Sequence, residues 1–299
     1  QALKSPALYA LALAALAAAA LLRAGRRHGG LSAFDAGAVG ASYTSAKELG
    51  ERFDHIYNRN QWGYGSGLGS TRSHTMTYRA FLQEFLRERC IESVADAGCG
   101  DWQFAKLLDW SGIGYLGTDI SKAALELARK NRDQSRNAAN NITFTLASLE
   151  DDLPSADLLV VKDVLQHLPL SDVQTFVDRN LLSGRYAYAL ITNDWSPQTP
   201  NEDIDEPGQF RMSTDLSKPP FSVHGLTPVL RSSSYASSLL VKRTVLWLNP
   251  NVSFGDDGCI AGRPRHGPPS DHPDRSGGRL HSSAGCGVLG TLFAIWFSA

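Results

Sequence analysis

The distribution of apolar positions divides the chain into unlike parts. From Pro6 to Leu22 it is almost entirely Ala and Leu, uncharged and without a polar face. At about 17 residues the run reaches the lower limit for a helix that crosses a bilayer. A signal anchor, a cleaved targeting segment and a soluble Ala-rich helix all fit it. Lys4 precedes the run, while Arg23, Arg26 and Arg27 follow it, which by the positive-inside rule leaves the rest of the chain in the cytosol. Residues 1–28 thus form a hydrophobic N-terminal segment, and the Gly-, Ala- and Ser-rich residues 29–46 read as a linker.

Residues 47–251 carry the pattern of a folded domain. An amphipathic helix is expected from about Thr75 to Arg89, with Tyr78, Phe81, Leu82 and Phe85 on one face. Short apolar strands follow at Ser93–Ala97, Gly114–Thr118, Thr143–Ala147, Ala156–Val161 and Tyr186–Thr192, with a later one at Leu240–Leu248. Helical spacing lies between them at Trp102–Trp110, Lys122–Asn131 and Ser171–Asn180, the last opened by Ser171 as N-cap. This alternation predicts an α/β fold: a doubly wound, Rossmann-like parallel sheet with an antiparallel C-terminal strand. After Val252 the pattern stops. Residues 252–299 are rich in Gly, Pro, Ser, Arg and His without period, a composition that reads as a disordered tail.

Composition narrows the partners. With 29 Lys+Arg against 30 Asp+Glu, the chain lacks the basic surplus of a general nucleic-acid binder. Cys90, Cys99, Cys259 and Cys286 form no CxxC pair and are too scattered for a disulfide framework, so a reducing compartment is the default. No His/Cys cluster has metal-ligand spacing, and no metal is expected. The protein is expected either on a membrane with a cytosol-facing domain, or in the cytoplasm if the N-terminal segment is removed.

In a doubly wound sheet, ligands bind beyond the carboxyl ends of the strands. The first strand runs into Asp96-Ala97-Gly98-Cys99-Gly100, where glycines let the backbone turn and approach a ligand. Asp119 stands at the end of the next strand, where a carboxylate accepts two hydrogen bonds from a ribose diol. A dinucleotide fingerprint would place its third glycine at position 103, which is Gln103, and this argues against a pyrophosphate cofactor.

VADAGCGDWQF, YLGTDIS and DLLVVKDVLQHLPLSD together resemble the class I S-adenosylmethionine-dependent methyltransferases. The resemblance spans about Phe53 to Asn249 and implies S-adenosylmethionine as cofactor and a small-molecule acceptor. It places Gly98, Cys99 and Gly100 against the methionine part, Asp96 near its amino group, Asp119 on the ribose hydroxyls and Ile120 on the adenine. The acid commonly found after the third strand is replaced here by Ser148, beside Leu149, with Glu150 or Asp151 as its substitute. Lys162 and Asp163 fall close to the methyl-bearing sulfur.

The acceptor side is read from residue chemistry. Asp163 and His167, spaced i, i+4, would share a helical face as a carboxylate–imidazole base, or else cap and pack a helix. His74 is a second candidate base. The glycine-rich Trp62–Ser70 segment suits a loop that closes over a ligand, or a simple surface linker. Asn193 and Asp194 follow the fifth strand, and Arg211 is placed to clamp a carboxylate or phosphate, or to form a surface salt bridge. The expected activity is methyl transfer to a small polar acceptor by in-line displacement. A catalytically inactive cofactor-binding scaffold and a nucleotide-dependent oxidoreductase are the rivals.

Overall fold

The computed structural model describes residues 46–233 and 241–262. The apolar run 6–22, the linker up to residue 45 and residues 263–299 lie outside them. Among the described residues no helix is long and apolar enough to cross a membrane.

Helices α1 (Ala46–Asn58) and α2 (Met76–Glu88) lead into a sheet of seven strands. The strands are β1 (Ser93–Ala97), β2 (Gly114–Asp119), β3 (Ile142–Leu146), β4 (Ala156–Lys162), β5 (Tyr186–Trp195), β6 (Leu226–Ser233) and β7 (Val241–Leu248), in the order β3-β2-β1-β4-β5-β7-β6. Strands β1 to β5 are mutually parallel, and β7 and β6 add antiparallel at the far edge. Helix α3 (Lys122–Asp133) follows β2, and α4 (Leu170–Phe176) follows β4 and runs on as one π turn over Val177–Leu181. The expected fold class is the one observed: β7 is the antiparallel strand, and β6 pairs antiparallel to it at the edge.

Alternation along the strands distributes the core over two faces. Val94, Leu158, Val160, Tyr188 and Leu190 meet Leu82, Phe85 and Leu86 of α2 on one side. Ala95, Leu159, Val161, Ala189 and Ile191 meet Phe53 and Ile56 of α1 and Val173 and Phe176 of α4 on the other. A strand covered on both faces is apolar on both, which is why β4 reads as a continuous apolar run from Leu158 to Val161.

Several local expectations are corrected. Trp102–Trp110 forms one 3-10 turn, Ala105–Leu107, instead of a helix. Both tryptophans are fully buried there, and the Asn137 side chain holds the loop by bonding the carbonyls of Lys106 and Leu108 at 3.1 and 2.9 Å. Ser171 is not an N-cap: Pro169 occupies that place, and the Ser171 hydroxyl donates to Asp172 at 2.9 Å. Strand β5 extends through Trp195, so Asn193 and Asp194 belong to the strand and not to a following loop.

The boundary at Val252 also moves. Val252, Phe254 and Ile260 pack against the first core cluster, Phe254 and Ile260 form a β-bridge, and the Phe254 ring lies 4.9 Å from that of Tyr188. Cys259 is buried and disulfide-bonded to Cys90, at the end of α2, with Cα atoms 5.3 Å apart. The cysteines excluded as a framework by their spacing therefore include one pair joined across 169 residues.

Candidate functional site

The carboxyl ends of β1, β2, β4 and β5 open on a cavity of about 430 Å³ that α1, the 62–70 loop and residues 208–210 roof over. At the β1 end, Gly98 and Gly100 have φ of +77° and +59°, a left-handed backbone that disfavours side chains. A Cβ on Gly98 would stand 2.5 Å from a Val164 methyl. The Gly98 and Cys99 amides both donate to Thr118 O, at 2.8 and 2.9 Å, which turns the loop across the end of β2.

Asp119 locks that turn. Its carboxylate accepts from the Gly100 and Ser121 amides, each at 2.9 Å, and faces the cavity. Burial, with Asp101 and Asp54 nearby, outweighs those two amides and raises its pKa to about 6. Asp96 sits deeper, off the cavity wall. It accepts from the Tyr115 hydroxyl at 2.5 Å, and burial raises it to about 6 as well. Ile120, Ser148, Leu149 and Glu150 continue the wall beside Asp119. Asp151 turns away from it and caps the Ser148 amide at 2.7 Å, which leaves Glu150 as the carboxylate lining this end.

Four charges occupy the other end. Lys162 Nζ donates to Asp163 at 2.5 Å and to Gly69 O at 3.2 Å, with the Phe104 and Tyr78 rings 5.2 and 5.6 Å away. Lys242 Nζ, from β7, donates to Asp163 and to Asp194, each at 2.6 Å. These side chains are only 2–13 % exposed, so each charge depends on its partner and not on water. Burial alone would raise Asp163, but the two ammonium groups override it and hold the carboxyl well below the ordinary range. Asp163 and Asp194 in turn keep Lys242 raised despite its burial.

The expected Asp163–His167 base pair is not what forms here. Asp163 takes a left-handed φ of +59°, and His167 ends a 3-10 turn, so the two do not share a helical face. Asp163 is committed to lysines, while His167 Nδ1 lies 3.0 Å from Gln209 O, which accepts a hydrogen bond from it. The imidazole stacks on Trp62, with centroids 4.9 Å apart, and burial lowers its pKa to about 4. It is a neutral wall group at physiological pH. His74 is bonded to Thr71 Oγ1 at 2.6 Å and is outside the cavity lining.

Arg211 is not a substrate clamp. It is buried, and its guanidinium donates to the carbonyls of Glu202, Leu165 and Leu168 at 2.7, 2.9 and 2.5 Å. It thus ties the polar insertion to the turn after β4. Asn193 is buried within β5 on the side away from the cavity, whereas Asp194 lines it. The Trp62–Ser70 loop does reach the site: Trp62 and Ser66 to Ser70 line the cavity, and the Ser66 hydroxyl donates to Asp101 at 2.7 Å. Sequence reasoning missed Lys242, Tyr57, Phe53 and Phe210. Nothing around Lys242 in VKRTVLWL distinguishes it from an exposed strand lysine. The amphipathic pattern of α1 was the signal available for Phe53 and Tyr57. No group of acidic, His or Cys side chains able to hold a metal occurs among the described residues.

Residues 95–181 match the family model of a methyltransferase domain. The magnesium protoporphyrin IX methyltransferase of Synechocystis PCC 6803, solved with bound S-adenosylhomocysteine, superposes with a TM-score of 0.50 at 16% identity, covering 69% of this chain and 100% of its own. The same enzyme solved with S-adenosylmethionine has the same identity and TM-score, covering 70% and 100%. A comparison with curated proteins finds no match. Residues 95–181 are thus similar to a methyltransferase domain, and the sheet has the fold of the solved methyltransferase. The matched segment is that of a methyl-transferring domain, and the neighbour was solved with S-adenosylmethionine and with S-adenosylhomocysteine bound.

Proposed function

We propose that the enzyme methylates a small polar acceptor seated between the bound donor and the Lys162–Asp163–Lys242–Asp194 quartet. The observation that carries this is the two-ended cavity: a glycine turn and Asp119 at one end, and paired charges at the other. Its volume is that of a small-ligand site. The solved neighbour is named for a small-molecule acceptor, magnesium protoporphyrin IX.

In this arrangement Gly98, Cys99 and Gly100 cradle the methionine portion, and Asp119 accepts from the ribose hydroxyls. Ile120, Leu149 and Ser148 surround the adenine, with Glu150 toward its amino group. Asp96 braces the turn from beneath through Tyr115. The donor's sulfonium supplies an activated methyl group. Transfer would place that methyl on the acceptor atom, whose proton, where it carries one, would pass to solvent. The chain's contribution is mostly alignment of the two reactants. Their neighbours hold Lys242 protonated and Asp163 ionised, so the quartet orients polar groups of the acceptor through fixed charges. Trp62, held by His167 and edge-on to Phe53 and Tyr57, excludes water from above.

The raised carboxyl of Asp119 gives a pH signature. Ionised, it is an acceptor for two hydroxyls; protonated, it becomes a donor and loses that match. S-adenosylhomocysteine affinity, measured by calorimetry, is expected to be level above pH 7. It should weaken as pH falls below about 6, approaching tenfold per pH unit.

The acceptor class is tested with purified full-length protein, tritiated-methyl donor and a cell extract separated into small-molecule, protein and nucleic-acid fractions. Label is expected in the small-molecule fraction and should vanish with Asp119→Ala. Label confined to protein or nucleic acid would overturn the proposal.

A further inference from the structure

The end of the sheet opposite the cavity carries three features that methyl transfer does not use. The first is the Cys90–Cys259 disulfide, both of whose residues are 2% exposed. The others are the triplets Asn141-Ile142-Thr143 and Asn251-Val252-Ser253, which have the Asn-X-Ser/Thr form accepted for N-glycosylation. Such a triplet is a short pattern and carries little alone. Here its weight comes from a buried disulfide in the same domain, since such bonds persist in oxidising compartments and are rare in the cytosol.

Geometry fits both marks. Asn141 is exposed and immediately precedes β3; its carbonyl accepts from the Tyr115 amide at 2.9 Å, leaving the side chain outside the ladder. Asn251 is exposed in the turn after β7, where its amide donates to Asn249 Oδ1 at 2.9 Å. Because β7 runs antiparallel to β5, its carboxyl end lies beside the amino ends of the parallel strands, as does Asn141. Glycans at either position would project away from the cavity mouth and from the roof formed by α1 and Trp62.

We propose that Asn141 and Asn251 are N-glycosylation acceptors and that Cys90–Cys259 closes a domain working in an oxidising, glycosylating compartment. This replaces the cytosolic expectation drawn from cysteine spacing and from the charges flanking residues 6–22. In each glycan transfer, a bond forms between sugar C1 and Asn Nδ2. The C1–oxygen bond of a lipid-linked diphosphosugar breaks, the lipid diphosphate leaves with the electron pair, and the amide proton passes to the transferase. In the cross-link, two thiols lose two protons and two electrons to a protein disulfide oxidant, which is reduced.

The test takes the protein from its own cells under acid quench, alkylates free thiols, and digests it without reduction. Peptide N-glycosidase in ¹⁸O-water then converts each glycosylated Asn to labelled Asp. Expected are a linked Cys90–Cys259 peptide and the label at position 141, 251 or both. Alkylated Cys90 and Cys259, or unmodified Asn at both positions, would overturn the proposal. As a second measurement, Cys90→Ser is expected to lower Tm by about 5–15 °C while S-adenosylhomocysteine affinity stays within twofold, because the cross-link lies away from the donor site. An unchanged Tm would remove the structural role of the bond.

Discussion

Replacing Lys242 by Met is expected to destabilise the domain by about 3–5 kcal/mol, the cost of stripping one partner from a buried ion pair. Asp194 loses its ammonium partner at 2.6 Å, and Asp163 is left with Lys162 alone. For a domain of this size the loss amounts to a fall in Tm of about 6–20 °C by calorimetry. The pH dependence has a definite sign. A carboxyl depressed in the folded state contributes stability above its unfolded pKa and loses it as pH falls through the folded value. The lysines depress Asp163, so the gap between wild type and Lys242→Met should narrow as pH drops below about 4. Lys242→Arg keeps the charge and should recover much of the loss. Equal melting temperatures for wild type and Lys242→Met at neutral pH would mean that the quartet relaxes into water and is not the buried network described.

Asp119→Ala is expected to weaken S-adenosylhomocysteine binding by about 2–4 kcal/mol, roughly 30- to 1,000-fold. Two losses combine. The ribose hydroxyls lose a charged acceptor, and the Gly100 and Ser121 amides, each 2.9 Å from the carboxylate, lose the group that fixes the glycine turn. Asp119→Asn separates them, since its amide oxygen still accepts from the backbone but carries no charge, and an intermediate affinity is expected. Calorimetric titration of both folded variants measures the difference. An affinity unchanged by Asp119→Ala would exclude this carboxylate from the donor site.

These two residues differ sharply in how visible they are along the chain. Asp119 ends a short strand just after a glycine turn, and the order strand, turn, strand, acid places it by topology alone. The sheet is legible for a related reason: buried parallel strands are mostly apolar, so the Leu158–Val161 run of β4 announces itself. Lys242 meets Asp163 across 79 residues, and no local pattern encodes that contact. The same blindness to distance hid the Cys90–Cys259 pair. Arg211 was misjudged because guanidinium chemistry suits an anion equally well on paper, whereas the folded chain satisfies it with three carbonyls. Trp102 and Trp110 misled the helix expectation because aromatic spacing near 3.6 is also met by a loop that inserts both rings into one core.

The donor turn, Asp119 and the adenine wall all lie within residues 95–181, the stretch that matches the methyltransferase family model. Much of what faces the opposite end does not: the 62–70 loop precedes it, and Asp194, Phe210 and Lys242 follow it. In the proposed arrangement the donor contacts sit in the matched stretch, while the acceptor contacts are shared between it, through Lys162 and Asp163, and the stretches outside it. Drift in the outer stretches would then recruit new acceptors while the donor grip stays intact, whereas a chimaera exchanged at residues 95 and 181 would carry Lys162 and Asp163 along with the donor turn.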